Sequence, residues 1–171
     1  MSYTVIESPI GDLTLVADDT SEALKALYMV GHRHAPELSA FGPRVDGDDE
    51  RRIFSTVTTQ LTEYFGGTRQ SFDVATAPVG TPFQLAVWEA LRSIPFGETR
   101  TYGELAITLG NPKAVRAVGL ANGRNPLSII VPCHRVIGAN GAMTGFGGGI
   151  ERKEYLLELE GYLPVHPALF A

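Results

Sequence analysis

The sequence predicts an α+β protein, with a small antiparallel sheet and one helix in its first half and a mainly helical second half. Three observations support this. Two short β-rich runs joined by turn residues open the chain, apolar residues recur at helical spacing in both halves, and two capping-box patterns occur in the second half. With 171 residues, 44% of them hydrophobic, the chain can bury a substantial core.

The first elements predict a three-stranded sheet. Tyr3–Ile6 and Leu13–Val16 form a predicted hairpin, because Ser8–Asp12 contains Pro, Gly and Asp in a turn-like order. Ala23–Val30 predicts a third strand. Gly31–Asp49 is polar and contains Pro and Gly, so we expect a mobile loop there.

A helix from Glu50 to Phe65 is predicted next, because its apolar residues recur at helical spacing and Gly66 follows. Phe72–Val74 predicts an edge strand. His32 and His34 lie two residues apart with no cysteine near them, so we expect a solvated loop rather than a metal site.

The linker-like run Ala-Thr-Ala-Pro-Val-Gly at residues 75–80 predicts a division into an N-terminal α+β domain (residues 1–75), a linker (76–80) and a C-terminal domain (81–171). The second domain opens with Thr81–Gln84, a capping box with proline at the first helical position. The apolar stripe of this helix is predicted to pack in the core, and it consists of Phe83, Val87, Trp88, Leu91 and Ile94.

The next two helices predict a helix-turn-helix. Thr101–Glu104 is a second capping box and starts a short helix that Gly110 ends. Asn111–Pro112 is predicted to start another helix, which ends near Asn122–Gly123. Small residues on this second helix would let its backbone approach another surface closely. From the residues alone, helix packing and DNA contact both explain them.

The only cysteine of the chain, Cys133, stands directly before His134. A thiol beside an imidazole is a candidate nucleophile, and a buried structural cysteine is the alternative. The apolar run Ile129–Pro132 predicts a buried strand that stops at the proline and holds Cys133 at its end. Gly138–Gly149 is glycine-rich and predicts one wall of a pocket, and it lacks the Gly-Lys-Ser/Thr ending of a phosphate loop. The predicted final helix, Ile150–Glu160, is amphipathic.

The charge is unevenly placed along a chain whose net charge is −5. Residues 1–75 carry 6 basic and 12 acidic side chains, giving −6, whereas residues 97–136 carry 5 basic and 2 acidic ones, giving +3. The basic segment suits phosphate contact. The chain contains neither a signal-like start nor an apolar run of ~20 residues, so we expect a cytoplasmic protein with no membrane partner.

The second half of the chain resembles the O6-alkylguanine-DNA alkyltransferases. Three features carry the resemblance: Asn125-Pro126, the pentapeptide Pro-Cys-His-Arg-Val at 132–136, and Gly-Phe-Gly-Gly-Gly at 145–149. The pentapeptide is highly specific, and the match covers at least residues 80–161. The resemblance implies direct repair: Cys133 irreversibly accepts the alkyl group of O6-alkylguanine, or of O4-alkylthymine, in DNA. Each molecule acts once, and neither a metal nor an organic cofactor is needed.

Two other functional classes stay open beside this hypothesis. One is a damage sensor or helix-turn-helix regulator that binds alkylated DNA without repairing it. Binding-only relatives replace the nucleophilic cysteine, whereas this chain keeps it. The other is a thiol hydrolase, for which repeated turnover on an ester or peptide would be the sign.

The resemblance also implies catalytic roles for particular residues. His134 is the base that takes the proton of Cys133, through a bridging water because adjacent side chains diverge. Glu160, in the pattern Leu-Leu-x-x-Glu-Gly, orients the imidazole. Asn125 braces the turn before the cysteine. Tyr102 contacts the DNA backbone and the guanine, and its phenol stabilises charge on the departing base.

The implied partner is double-stranded DNA, held through its minor groove with the alkylated base flipped out. Arg116 would fill the vacated place in the base stack. The predicted DNA-binding residues are Arg116, Tyr102, Ala117, Gly119, Arg124 and Arg135. The predicted pocket residues are Pro132, Val136, Phe146, Gly147 and Gly148, and many relatives carry tyrosine in place of Phe146. We expect a monomer, with cooperative binding on DNA left open.

Overall fold

The computed structural model describes residues 1–47 and 51–164. A three-stranded antiparallel sheet in the order β1-β2-β3 opens the fold, formed by Ser2–Ile6, Leu13–Ala17 and Leu24–Met29. These strands confirm the predicted hairpin and third strand. Leu13 and Leu15 of β2 are fully buried against the helices, because alternate residues of a strand face the same side of the sheet.

The segment after β3 has more structure than the predicted loop. Leu38–Phe41 form a 3-10 helix, and the Phe41 ring packs between Tyr3 and Tyr28 of the sheet. His32 is buried, so the expectation that it lies in a solvated loop is wrong. The segment is ordered because Phe41 packs on these two tyrosines of the sheet. Residues 48 and 49 of the predicted loop lie outside the described residues.

Helix α1, Arg52–Phe65, confirms the predicted helix, and the predicted start at Glu50 lies outside the described residues. The edge strand predicted at residues 72–74 is not formed. The side chain of Gln60 replaces a strand partner there: its Nε2 donates to the Asp73 carbonyl at 2.9 Å, and its Oε1 accepts from the Asp73 amide at 2.8 Å. Strand-like pairing comes slightly later, where Leu24 bonds Ala75 and Ala77.

The second half of the chain begins with helix α2, Pro82–Arg92, which packs against the later helices of this half. Both halves of its predicted capping box are present, between Thr81 and Gln84. Most of the predicted apolar stripe is buried, but Phe83 is exposed, since it lies in the first turn of α2, beyond the core. Trp88 is buried and its Nε1 donates to the Ala121 carbonyl at 2.9 Å.

Helices α3, Tyr102–Thr108, and α4, Val115–Gly123, form the predicted helix-turn-helix. Helix α4 starts later than the predicted Asn111–Pro112, because those residues form a turn closed by the Ala114 amide on the Asn111 carbonyl at 3.0 Å. The final helix α5, Ile150–Leu159, is also as predicted. No helix within the described residues is long and apolar enough to cross a membrane.

The stretch before the cysteine is buried but is not a strand. Ile129 has φ +73°, a left-handed conformation that interrupts an extended chain, and residues 128–131 form turns. A two-stranded parallel pairing follows instead, between β4 (Arg100–Thr101) and β5 (Val136–Ile137). The division at residues 76–80 into two domains stays a prediction.

Candidate active site and nucleic-acid interface

Cys133 opens a 3-10 helix, Cys133–Arg135, in the interior of the protein. Two asparagines fix the backbone on either side of it. The Asn125 Nδ2 donates to the Val131 carbonyl at 2.8 Å, and its Oδ1 accepts from the Leu127 amide at 3.0 Å. The Asn122 Nδ2 donates to the Cys133 carbonyl at 3.3 Å. Apart from a single bridge between Leu127 and Leu27 of β3, side-chain and turn bonds hold this segment, and Asn125 braces it by bonding both Leu127 and Val131.

His134 is fully buried beside the thiol and pairs with Glu160. Its Nε2 donates to Oε1 of Glu160 at 2.7 Å. Its Nδ1 has no hydrogen-bond partner among the described residues, although it is buried. Burial lowers the pKa of His134, and Glu160 acts in the opposite direction. With the proton on Nε2, the Nδ1 lone pair is available to accept another proton.

Glu160 collects four hydrogen bonds at the end of α5. Besides His134, Tyr64 donates to Oε1 at 2.7 Å, and Arg135 donates from Nε to Oε2 at 2.8 Å and from Nη2 to Oε1 at 2.9 Å. Burial opposes ionisation of Glu160, but His134 and Arg135 hold its pKa well below the usual range. The carboxylate is therefore ionised and fixes the imidazole orientation.

Lys153 is a charged residue near the thiol that the sequence did not reveal. It lies on α5 and is fully buried, and its Nζ donates to the carbonyls of Val136 and of Thr144, the latter at 2.8 Å. Burial lowers the pKa of Lys153 to about 8, while the nearby Cys133 raises it. An amphipathic pattern assigns a lysine to the solvated face, so only the folded structure identifies it.

The thiol of Cys133 experiences opposing effects. Burial raises its pKa, while a hydrogen bond from Asn125 and the charge of Lys153 lower it. Burial is the larger effect, so the resting group is a neutral thiol. A thiolate formed on demand would meet a positive charge and donor groups already in place.

A surface cleft of about 700 Å³ lies beside α4. Its walls are Tyr102, Val115, Arg116, Gly119, Leu120, Thr144 and Gly145. The Tyr102 hydroxyl donates to the Thr144 carbonyl at 2.7 Å, which ties two wall residues of the cleft together. Burial raises the pKa of Tyr102, the bond to Thr144 lowers it, and Cys133 raises it, so Tyr102 and the thiol interact electrostatically. The cleft therefore borders the exposed face of α4, and Tyr102 on its wall is the lining residue that interacts with the buried thiol.

The structure separates the predicted DNA-binding residues into two groups. Arg116, Ala117 and Arg124 are exposed on or directly after α4. Arg135 is buried: besides its bonds to Glu160, its Nη1 donates to the Ile94 carbonyl at 2.7 Å. Its charge therefore serves the interior ion pair and is not available to a phosphate.

The predicted pocket residues are also distributed. Val136 and Phe146 are buried, while Pro132 borders a separate cavity of about 260 Å³ beside Phe96. Gly147 and Gly148 pack closely against His32 and Met29 of the N-terminal half, so no side chain would fit there. Their backbone forms the tight junction between the halves. Within the described residues no cluster of His, Cys, Asp or Glu suits a metal ion.

Comparison with known proteins matches almost the whole chain to one family. Residues 1–78 match the model described as "6-O-methylguanine DNA methyltransferase, ribonuclease-like domain", and residues 82–162 match the "DNA binding domain" of the same name. The chain is 52% identical over 162 residues to a methylated-DNA–protein-cysteine methyltransferase of Methanosarcina acetivorans, covering 94% of this chain and 99% of the relative.

Solved structures agree with these sequence matches. The crystal structure of Mycobacterium tuberculosis OGT in complex with DNA superimposes with a TM-score of 0.84 at 50% identity, covering 94% of this chain and 93% of the other. An O6-methylguanine DNA methyltransferase of Methanococcus jannaschii gives a TM-score of 0.63 at 26% identity, covering 95% of both chains.

Proposed function

Since this chain belongs to the 6-O-methylguanine DNA methyltransferase family, whose members move an alkyl group from DNA to one of their own cysteines, we propose that Cys133 is its acceptor. The activity is direct DNA repair, and DNA is the partner. The observation that carries the assignment is the position of the only cysteine beside a buried His134–Glu160 pair whose Nδ1 is unpartnered among the described residues.

The reaction begins with removal of the thiol proton. The Nδ1 of His134 accepts it through a bridging water, because neighbouring side chains diverge, and Glu160 stabilises the imidazolium through its bond to Nε2. Ionisation is needed because a thiol with a raised pKa is a poor nucleophile at neutral pH.

The thiolate of Cys133 then attacks the alkyl carbon on O6 of the guanine. A sulfur–carbon bond forms as the carbon–oxygen bond breaks, and the guanine leaves with the electron pair of that bond. The guanine takes up one proton through solvent, which balances the proton given to His134. The thioether has no ready leaving route, so each molecule acts once.

Lys153 has a positioning and electrostatic role in this scheme. Its charge favours the thiolate over the thiol, and its bonds to Val136 and Thr144 tie the cysteine segment to the wall of the cleft. Both effects are supplied before the substrate arrives, so the site does not need to reorganise when negative charge develops on sulfur.

The DNA is read from its minor groove by α4 in this proposal. Ala117 is small and exposed and Gly119 lines the cleft, so the helix backbone can approach the groove floor closely. Arg116 replaces the flipped nucleotide in the stack, which offsets part of an extrusion cost of a few kcal/mol. The base enters the cleft that Tyr102 and Gly119 line beside α4.

Intact-protein mass spectrometry tests the assignment of Cys133. The protein is incubated with a duplex containing one O6-methylguanine, beside Cys133→Ala as the matched variant. We expect wild type to gain the mass of one methyl group in proportion to the guanine restored, and the variant to gain none. A methyl group gained by Cys133→Ala would exclude Cys133 as the acceptor. Tight lesion binding without any transfer by wild type would instead favour a damage sensor.

A further inference from the structure

A loop from the N-terminal half reaches the end of α4. The Arg33 amide donates to the Gly147 carbonyl at 3.0 Å, and the buried His32 imidazole packs on the same glycine. A methyl group placed on Gly147 would lie 3.1 Å from the carbonyl oxygen of Gly123, the last residue of α4. One glycine thus joins the N-terminal loop to the helix assigned above to the minor groove.

Basic side chains lie at the surface where the loop after β3 meets Gly147 and the end of α4. Arg33, His34 and Arg124 are all exposed, and the charges of Arg124 and Arg33 help to lower the pKa of His34 after the larger effect of its partial burial. Within residues 1–47 and 51–164, the side chains of Arg33 and Arg124 form no ion pair. A positive surface without a counterion is suited to an anion from a partner.

Three of the four other arginines of the N-terminal half form ion pairs, and the fourth, Arg52, is exposed at the start of α1. Arg44 pairs with Asp46 at 2.6 Å, Arg51 with Asp19 at 3.3 Å, and Arg69 with Glu63 at 2.6 Å. These pairs lie in a half of the chain with a strong excess of acidic residues. Among the described residues Arg33 forms no ion pair, and its loop contacts Gly147 beside the end of α4. Its position therefore makes it available to an anion despite the acidic excess of the N-terminal half.

We propose that the N-terminal half takes part in DNA binding, with Arg33 and Arg124 together holding one backbone phosphate beyond the C-terminal end of α4. The inference rests on the repair function proposed above and extends its interface across both halves of the chain. It gives the loop after β3 a direct role, because the contact of Arg33 with Gly147 sets the separation of the two arginines. His34, neutral at neutral pH, adds a hydrogen-bond donor beside them.

Salt-dependent DNA binding tests the proposal. Wild type, Arg33→Gln, Arg124→Gln and Arg69→Gln are titrated with the same lesion-free duplex at several salt concentrations. Arg69→Gln removes the same charge from the N-terminal half, away from the junction. The slope of log K against log salt should decrease by about 0.9 in magnitude for each phosphate contact that is lost. We expect this for Arg33→Gln and Arg124→Gln, with weaker binding at low salt, and a wild-type slope for Arg69→Gln.

A second measurement separates binding from chemistry. Transfer from a free O6-benzylguanine base should proceed at the wild-type rate in Arg33→Gln, since the substitution lies outside the thiol site. A wild-type salt slope in Arg33→Gln would overturn the inference even if wild type repairs the lesion duplex. Failure of wild type to transfer an alkyl group while the slopes differ as expected would overturn the repair mechanism and leave the phosphate contact standing. Absence of duplex binding by wild type would overturn the inference as well.

Discussion

Replacing Glu160 with glutamine tests whether one buried carboxylate holds the site together. Its two oxygens accept four hydrogen bonds, from His134, from Tyr64 and twice from Arg135. Glutamine keeps the size but presents an NH₂ group, which cannot accept any of these donors. Arg135, which is 6% exposed, then stays buried without a counterion. Breaking a buried pair in this way costs about 3–5 kcal/mol, a large part of a typical domain stability of ~5–15 kcal/mol.

Urea unfolding at pH 7 measures the change in the free energy of unfolding. Glu63→Gln is the control, because Glu63 pairs with Arg69 at the surface, where we expect a loss of no more than about 1 kcal/mol. A loss of that small size in Glu160→Gln would refute the reasoning, because Arg135 would then not depend on the carboxylate.

The pH dependence of the same variant gives a second check. The pKa of Glu160 is lower in the folded protein than its value of about 4.3 in an unfolded chain. Its contribution to stability is therefore fully present above about pH 4.3 and is lost as the pH falls toward the folded value. The stability gap between wild type and Glu160→Gln should narrow below about pH 4, and a constant gap would contradict the assignment.

Three further substitutions test other parts of the site. Lys153→Met keeps the length of the side chain but removes its charge, so the pKa of the active-site thiol should rise and transfer from free O6-benzylguanine at pH 7 should slow by about tenfold or more; an unchanged rate-against-pH profile would exclude this electrostatic role. Burial lowers the pKa of His32 to about 4, so wild type should lose stability as the pH falls from about 6.5 to about 4, and His32→Gln should have a shallower dependence in urea unfolding over that range. An equal slope would show that His32 does not titrate on unfolding. Gly145 has φ +74° and a methyl group there would overlap the tyrosine hydroxyl of the cleft, so Gly145→Ala should lower thermal stability by more than Gly141→Ala, which has φ +80° but open space around it. Equal losses would mean that backbone strain alone, of about 1–3 kcal/mol, explains both.

The elements that the sequence predicted best are those whose signals are local. The capping boxes at Thr81 and Thr101 each use residues three apart, and both reciprocal hydrogen bonds are present in each. Such signals do not depend on distant partners. The Cys-His-Glu arrangement came from resemblance to a family pattern, because 26 residues separate His134 from Glu160 and nothing local indicates that they meet.

The predicted strand before the cysteine failed for a physical reason. Ile129–Val131 are apolar and buried, which is also the pattern of a core strand. Burial requires only that the backbone polar groups be satisfied, and here Asn125 and turn hydrogen bonds satisfy several of them. The edge strand predicted at residues 72–74 failed similarly, because Gln60 binds the backbone that a strand would have paired. In both places a side-chain amide makes the backbone hydrogen bonds that a neighbouring strand would otherwise make. The spacing of apolar residues gives no sign of such bonds.

Lys153 shows why charge within the site could not be inferred from the sequence and why it matters. Glu160 and Arg135 neutralise each other, so in the resting state Lys153 is a buried positive charge beside a neutral thiol. Formation of the thiolate, whose proton passes to His134, places a negative charge close to Lys153, and the same interaction lowers the pKa of Cys133 and raises that of Lys153. Alkylation removes the negative charge again by converting sulfur to a neutral thioether. The charge of Lys153 therefore stabilises the sulfur most while it is ionised, which lowers the free-energy cost of forming the thiolate from the neutral resting thiol.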